Sequence, residues 1–165
     1  METKIEHIII SPGHNFVGHY GKPPGTNPVV HKESVKLLPG FGIEGDRYSQ
    51  REEGHKSQIT FFDLATIDAL SEFTGKTIPP ETVRRNVFVR GIDLPSLVGK
   101  TFSVQGIQFH GMDPCPPCEW MDKMMGDGAR QLMEGRGGLR AKILTDGNLS
   151  VGAFDLEIIS EDNGG

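Results

Sequence analysis

The two cysteines of the chain are separated by two prolines, in the sequence Cys115-Pro116-Pro117-Cys118. Proline fixes φ and has no backbone N–H, so these residues predict a stiff backbone around both thiols. A helical pattern follows Pro117, which puts Cys118 near a helix N-terminus, where free amides and the helix dipole lower a thiol pKa. The stretch indicates a reactive thiolate at Cys118, unless both cysteines are buried and inert in a core.

The C-x-x-C spacing leaves two other chemistries open. The pair predicts a dithiol redox centre if Cys115 is the resolving thiol of Cys118, although no βαβ pattern surrounds it. It predicts a zinc site if His110 or His14 joins both thiols, although a second ligand pair is missing from the sequence. His110, five residues before Cys115, is either a base or charge partner for the thiolate or a structural histidine.

Arginines and polar residues near glycine-rich turns and a strand entry form a second group of candidates, because guanidinium groups bind oxyanions bidentately. These anchor candidates are Asp46, Arg47, Arg84, Arg85, Asn86, Arg136 and Arg140. Alternation along a strand puts Arg84 and Asn86 on one face and Arg85 on the other, so not all three share a pocket. The alternative is a set of solvent-facing charges, which contribute little to stability.

Length and composition restrict the class of protein. The 165 residues suit a single domain spanning residues 1–165, with a frayed tail at 161–165. The net charge of −5 argues against a general nucleic-acid binder. We expect no membrane span and no signal peptide, hence a cytoplasmic protein with reduced thiols.

Short apolar runs separated by turn signals predict a mostly β fold with helical insertions, of the α+β class and barrel-like. Strands are predicted at residues 4–10, 34–38, 87–89, 101–104, 107–110, 141–144, 149–151 and 154–159. Gln105-Gly106 and Asp146-Gly147 are predicted hairpin turns. The residues between 11 and 31 are predicted to form a long loop, and short helices are expected after Cys118 and at residues 129–133.

One longer helix is predicted over residues 61–73. Phe61, Leu64, Ala65, Leu70 and Phe73 recur at mostly helical spacing and predict a core-facing stripe. Thr60 and Asp63 have the spacing of an N-terminal capping pair, and Gly75 ends the pattern.

An ordered set of short motifs resembles the MOSC domain, the module named after the C-terminal part of molybdenum cofactor sulfurases. The set comprises Gly42-Ile43-Glu44-Gly45-Asp46-Arg47, Gln58-Ile59-Thr60, Arg84-Arg85-Asn86-Val87, Gly91-Ile92-Asp93-Leu94 with Leu97-Val98-Gly99, Pro117-Cys118, Gly138-Leu139-Arg140-Ala141, and Asp146-Gly147 with Val151-Gly152. The resemblance implies a strand-rich, barrel-like fold. It also implies one cysteine, here Cys118, that hands on sulfur or holds molybdenum.

The resemblance implies the molybdenum cofactor (molybdopterin), held stably or in passing, with sulfur donor and acceptor proteins as partners. The family is associated with pyridoxal phosphate through the aminotransferase-like domain of the full sulfurases, which we do not expect in this small stand-alone version. We interpret the chain as a cofactor-binding domain that transfers sulfur through a cysteine persulfide or is a small molybdenum-dependent oxidoreductase. A dithiol redox protein and a non-catalytic binding module are the alternatives, and the oligomeric state is open.

Overall fold

The structure is a computed structural model that describes residues 3–11, 30–46, 58–79, 85–114 and 138–161. The strands within these ranges are β1 (Lys4–Ile10), β2 (Val30–Lys32), β3 (Ser34–Leu38), β4 (Gly42–Ile43), β5 (Ile59–Asp63), β6 (Val87–Arg90), β7 (Lys100–Val104), β8 (Ile107–Pro114), β9 (Leu139–Ile143), β10 (Gly147–Ser150), β11 (Gly152–Ala153) and β12 (Leu156–Glu161). They are accompanied by the helix α1 (Leu64–Thr74) and a 3₁₀ helix (Leu94–Leu97). The predicted α+β class, mostly β, is confirmed.

The strands form a large sheet and a small one. Nine strands form the large sheet in the order β11-β1-β6-β5-β9-β8-β7-β12, with β2 also paired to β1, and the small sheet has the order β10-β3-β4. The two ends of the large sheet, β11 and β12, are separated in the chain by only Phe154 and Asp155. Covalent geometry therefore keeps Ala153 and Leu156 within about 11 Å of each other. The sheet is rolled so that its edges approach, but β11 and β12 do not pair and no barrel closes.

The rolled sheet encloses a core of aliphatic and aromatic side chains, to which the small sheet contributes Val35, Leu37, Ile43 and Leu149. At its centre, the ring of Phe61 packs edge-on against Phe102 and Phe109, with centroid distances of 5.9 and 5.3 Å. Alternation along β8 puts Ile107 and Phe109 in this core, while Gln108 and His110 are half-buried on the opposite face.

The helix predicted over residues 61–73 begins three residues later than predicted. Residues 59–63 form β5, which pairs in parallel with β6 and antiparallel with β9, and the helix starts at Leu64. Asp63, not Thr60, is the N-cap: its Oδ1 accepts a hydrogen bond of 2.9 Å from the Ala65 amide. The predicted core stripe was wrong at Ala65, which is exposed, and at Phe73, which is 54% exposed.

The helix α1 instead buries Leu64, Thr66, Ile67 and Leu70, and Gly75 ends it in the left-handed conformation, as predicted. It packs on β5 and β6. Arg90 of β6 also connects α1 to the sheet. Its Nε lies 2.8 Å from the carboxylate of Glu6 on β1, and one Nη lies 3.0 Å from that of Asp68 on α1. The hydrogen bonds to Asp68 and Glu6 raise the pKa of Arg90. Within the described residues, no helix has the length and apolar character needed to cross a membrane.

The predicted strands 4–10 and 34–38 match β1 and β3, and 87–89 lies within β6. The hairpin β7–β8 turns at Gln105-Gly106, as predicted, and both residues have positive φ. The hairpin predicted at Asp146-Gly147 was wrong, since β10 pairs with β3 of the small sheet and not with β9. The helices predicted after Cys118 and at residues 129–133, and most of the 11–31 loop, lie outside the described residues.

Candidate functional site

The segment that carries both cysteines connects two neighbouring strands of the large sheet. The strand β8 ends at Pro114, β9 begins at Leu139, and these two residues are partners in the antiparallel register. Cys115, Cys118 and Arg136 belong to residues 115–137, outside the described ranges. Covalent geometry alone keeps the Cα of Cys118 within about 14 Å of that of Pro114.

A cavity of about 300 Å³ opens beside the Pro114–Leu139 pair. Pro114, Gly138 and Leu139 form one wall, the first turn of α1 forms a second, and the chain from Asp93 into the 3₁₀ helix and to Val98 forms a third. This volume is at the lower end of the range for small-molecule sites. Among the described residues, the cavity is thus the place where a ligand near the cysteine segment would be accommodated.

Two glycines allow the walls to approach so closely. A Cβ on Gly111 of β8 would lie 2.1 Å from the carbonyl oxygen of Leu97, and a Cβ on Gly138 would lie 2.4 Å from that of Phe61. Gly138 also has a φ of +103°, which side chains rarely adopt. The Gly99 amide donates to the Gly111 carbonyl at 2.9 Å, which holds the 3₁₀ segment against β8. These contacts require glycine for steric reasons and set the shape of the cavity.

Among the described residues, three polar side chains line the cavity, and none of them was a predicted site residue. Asp63 caps α1, Asp93 precedes the 3₁₀ helix, and Thr66 lies in the first turns of α1. Thr66 is only 6% exposed. The sequence signals for these residues were a capping pattern at Asp63 and the motif Gly91-Ile92-Asp93-Leu94. Neither predicted that they lie together, because their proximity arises from strand pairing.

The predicted anchor Arg140 is half-buried one residue beyond Leu139. The guanidinium of Arg140 lies 4.0 Å from the carboxylate of Asp113, the residue with which Arg140 is paired on β8. On its other side, Arg140 is paired with Thr60 of β5. Thr60 in turn bonds to Asn86. A row of polar residues thus crosses four neighbouring chain segments: Asp113, Arg140, Thr60 and Asn86. Within this row, Asn86 and Arg140 are two segments apart, which corresponds to a distance of about 10 Å.

The side chain of Asn86 binds the backbone on both sides of it. Its Oδ1 accepts hydrogen bonds from the amide and hydroxyl of Thr60, at 3.1 and 3.0 Å, and its Nδ2 donates to the carbonyl of Ile9 at 3.1 Å. Asn86 is 9% exposed. The observed contacts make Asn86 a clamp between β1, β5 and the start of β6.

The remaining described candidates are more dispersed. Asp46 is buried and accepts a 2.8 Å hydrogen bond from the amide of Ser11, just beyond β1. Arg85 is half-buried beside Asn86. Asp46 and Arg85 lie at the end of the sheet where β1 ends and where β5 and β6 begin. The cysteine segment leaves the sheet at the other end, where β5 ends. Arg47 and Arg84 lie outside the described residues.

The sequence suggested that His110 lies at the end of its strand, but β8 continues to Pro114. Its Nδ1 lies 3.0 Å from the hydroxyl of Thr101 on β7, and its register partner on β9 is Lys142. Pro114 is four positions further along the strand than His110, a distance of about 13 Å. Within the described ranges, no three His, Cys, Asp or Glu residues are grouped so that they could hold a metal ion.

Comparisons with known proteins agree with this architecture. The family model of the MOSC domain matches residues 48–153, which confirms the resemblance drawn from the motifs, although Gly42 to Arg47 precede the matched range. The YuaD protein from Bacillus subtilis has a similar structure, with a TM-score of 0.74, 19% identity and coverage of 98% of both chains.

The YiiM proteins are further structural neighbours. YiiM from Geobacillus stearothermophilus has a TM-score of 0.67 at 13% identity, covering 96% of this chain and 75% of that one. YiiM from Escherichia coli has a TM-score of 0.63 at 18% identity, covering 94% and 70%. A search of the curated proteins finds no match. The structural likenesses show a shared fold.

Proposed function

Since this chain belongs to the MOSC domain family, whose domains are molybdenum-cofactor-related, we propose that it binds the molybdenum cofactor with Cys118 as the anchoring or sulfur-carrying thiolate. The observation that carries the proposal is the Pro114–Leu139 pair, where the cysteine segment leaves and rejoins the sheet beside the cavity. Thiolates are the protein ligands that suit soft metal centres. When bound, the cofactor supplies a redox-active metal.

The described residues fit such a group. The cofactor carries a phosphate, and Arg140 presents a half-buried guanidinium one residue from the cavity wall, oriented by Asp113 at 4.0 Å. Arg85 and the remaining N–H of Asn86 are the further anchors proposed within the described ranges. Gly138 allows this wall of the cavity to lie against the Phe61 carbonyl, where any side chain would clash. Asp46, Arg47, Arg84 and Arg136 stay candidate anchors on sequence grounds.

Two activities are compatible with this arrangement. In sulfur transfer, the Cys118 thiolate attacks the outer sulfur of a donor persulfide, forms its own persulfide, and releases the donor thiolate. In an oxidoreductase, the same thiolate stays bound to the metal. Cys115 and His110 are proposed to assist Cys118 in either case. We propose a single cytoplasmic domain whose protein partners are the sulfur donor and acceptor.

The test is cofactor binding under anaerobic conditions, measured by native mass spectrometry on wild type, Cys118→Ser and the matched control Cys115→Ser. We expect wild type and Cys115→Ser to retain the cofactor mass and Cys118→Ser to lose it. Retention by all three would show that Cys118 does not hold the metal and would leave sulfur transfer as its proposed role. Binding by none of them would contradict the proposal.

In that last case the dithiol becomes the leading hypothesis, and alkylation distinguishes it. Protein equilibrated across a series of thiol–disulfide buffers is quenched with an alkylating reagent and weighed intact. A Cys115–Cys118 disulfide that forms and opens within the physiological range of potentials supports a redox role. Two thiols that are modified at every potential exclude it.

A further inference from the structure

The outer face of β9 carries two neighbouring cations. Leu139, Ala141 and Ile143 of this strand belong to the core, so Arg140 and Lys142 lie together on the opposite face, and both are half-buried. Two residues of strand separate them by about 7 Å, a span that their long side chains can bridge. A single ligand on this face is therefore within reach of both head groups.

The neighbouring strands supply one carboxylate for these two cations. Arg140 is paired with Asp113 on β8 and with Thr60 on β5. Lys142 is paired with His110 on β8. The 4.0 Å between Arg140 and Asp113 is too long for a hydrogen bond, so this pair leaves the guanidinium donors to a ligand. Within the described ranges, no carboxylate forms an ion pair with Lys142, and its ammonium makes no hydrogen bond with a described residue.

Arg90, another cation of the large sheet, is neutralised within the fold. Its guanidinium lies 2.8 Å from Glu6 and 3.0 Å from Asp68, so two carboxylates match one charge. Burial disfavours a charge that lacks such counter-charges. Arg140 and Lys142 are half-buried and have a single carboxylate among their strand partners, which indicates that an anion from outside the chain completes their pairing.

This face lies next to the cysteine segment, at an irregularity of the sheet. The register of β8 shifts just before Asp113, so that Met112 is an extra residue and Asp113 lies opposite Arg140. Such bulges are frequent beside active sites, where they redirect side chains. Lys142 is three residues from Leu139, about 10 Å, where the cysteine segment rejoins the sheet. A ligand bound to both cations is thus close to the segment that carries both cysteines.

We propose that Arg140 and Lys142 form an oxyanion site that binds the phosphate group of a ligand, the guanidinium through two hydrogen bonds and the ammonium as a point charge. Lys142 thereby joins the anchors of the cofactor, and this assignment rests on the proposed function for the identity of the ligand. Binding of the phosphate group itself requires neither a metal nor a thiol.

The first experiment titrates the full chain, without cofactor, with methyl phosphate and with acetate as the control anion. Amide-resolved NMR follows β8 and β9 at about pH 8, where the phosphate monoester is a dianion. We expect saturable shifts at Arg140 and Lys142 with methyl phosphate and roughly tenfold weaker binding of acetate, because two cations favour a dianion. Shifts that do not saturate, or equal affinities for the two anions, would overturn the oxyanion site.

Variants connect the binding to the two side chains. Lys142→Gln and Arg140→Gln should each weaken methyl phosphate roughly tenfold. Lys142→Arg keeps the charge and should bind it nearly as well as wild type, which distinguishes loss of a contact from loss of the fold. Lys36→Gln removes the same charge from an exposed position of β3 and should change nothing. Equal effects of Lys142→Gln and Lys36→Gln would contradict the proposal.

Native mass spectrometry separates the oxyanion site from the cofactor proposal. Reduced retention of the cofactor by Lys142→Gln, but not by Lys36→Gln, would support the assignment of its phosphate to this pair. Undiminished retention by Lys142→Gln would overturn that assignment and leave the role of Cys118 to its own test. If wild type retains no cofactor, the cofactor proposal fails, whereas the methyl phosphate titration still decides whether the oxyanion site exists.

Discussion

Replacing Asn86 by alanine should destabilise the large sheet. The substitution removes three side-chain hydrogen bonds, two from partly buried Thr60 and one to the buried carbonyl of Ile9, and leaves these groups without their partner. At about 1 kcal/mol for each bond, we expect a loss of about 3 kcal/mol in the free energy of unfolding. For a protein of ordinary stability that is a large fraction of the total. Urea unfolding followed by circular dichroism measures it.

The control is Asn148→Ala, which removes the same side chain from an exposed position of β10 and should change stability by no more than about 0.5 kcal/mol. Thr60→Val and the double variant complete a thermodynamic cycle, in which we expect a coupling of about 1–2 kcal/mol with Asn86. A loss below about 1 kcal/mol for Asn86→Ala, or additive effects in the cycle, would refute the view that Asn86 clamps three chain segments.

Other substitutions test the packing around the cavity by the same unfolding assay. Gly111→Ala should lose at least about 2 kcal/mol through its clash with Leu97, whereas Gly106→Ala, in open space, should lose about 1 kcal/mol from its positive φ; equal losses would contradict the steric argument. Asp63→Ala should cost about 1 kcal/mol of unfolding free energy and Asp63→Asn only a few tenths, because asparagine is also a good N-cap; equal losses would contradict the capping role. Gln105→Ala, which removes two 2.9 Å hydrogen bonds to Ser150, should cost about 2 kcal/mol, and an unchanged midpoint would argue against this link between the sheets.

Features determined by adjacent residues were predictable from the sequence. The Gln105-Gly106 turn and the helix end at Gly75 depend on local backbone preferences, and both are observed. The start of α1 was not predictable from spacing, because Phe61 fits a helical and an alternating pattern equally well. Its assignment to β5 depends on pairing with β6 and β9, which are distant in sequence.

The same distinction holds for the site and for the second predicted hairpin. Asp146-Gly147 has the chemistry of a turn, yet Leu149 is buried in the core and β10 pairs with β3 of the small sheet. The sequence predicts Cys118 and Arg140 as site residues from their chemical type and motif context. It carried no signal that Asp93 and Thr66 would line one cavity, since only the folded sheet brings them together.

The last strands of the chain have a consequence for its biosynthesis. Ala153 pairs with Lys4 at one edge of the large sheet, and the strand that starts at Leu156 completes the opposite edge. A chain still being translated lacks both borders until this stretch has left the ribosome. Until then, β7 and the Lys4–Ile5 part of β1 each have an unpaired edge with which strands of other chains can pair. A chain truncated before Gly152 should therefore aggregate, however complete the residues around the cysteines are.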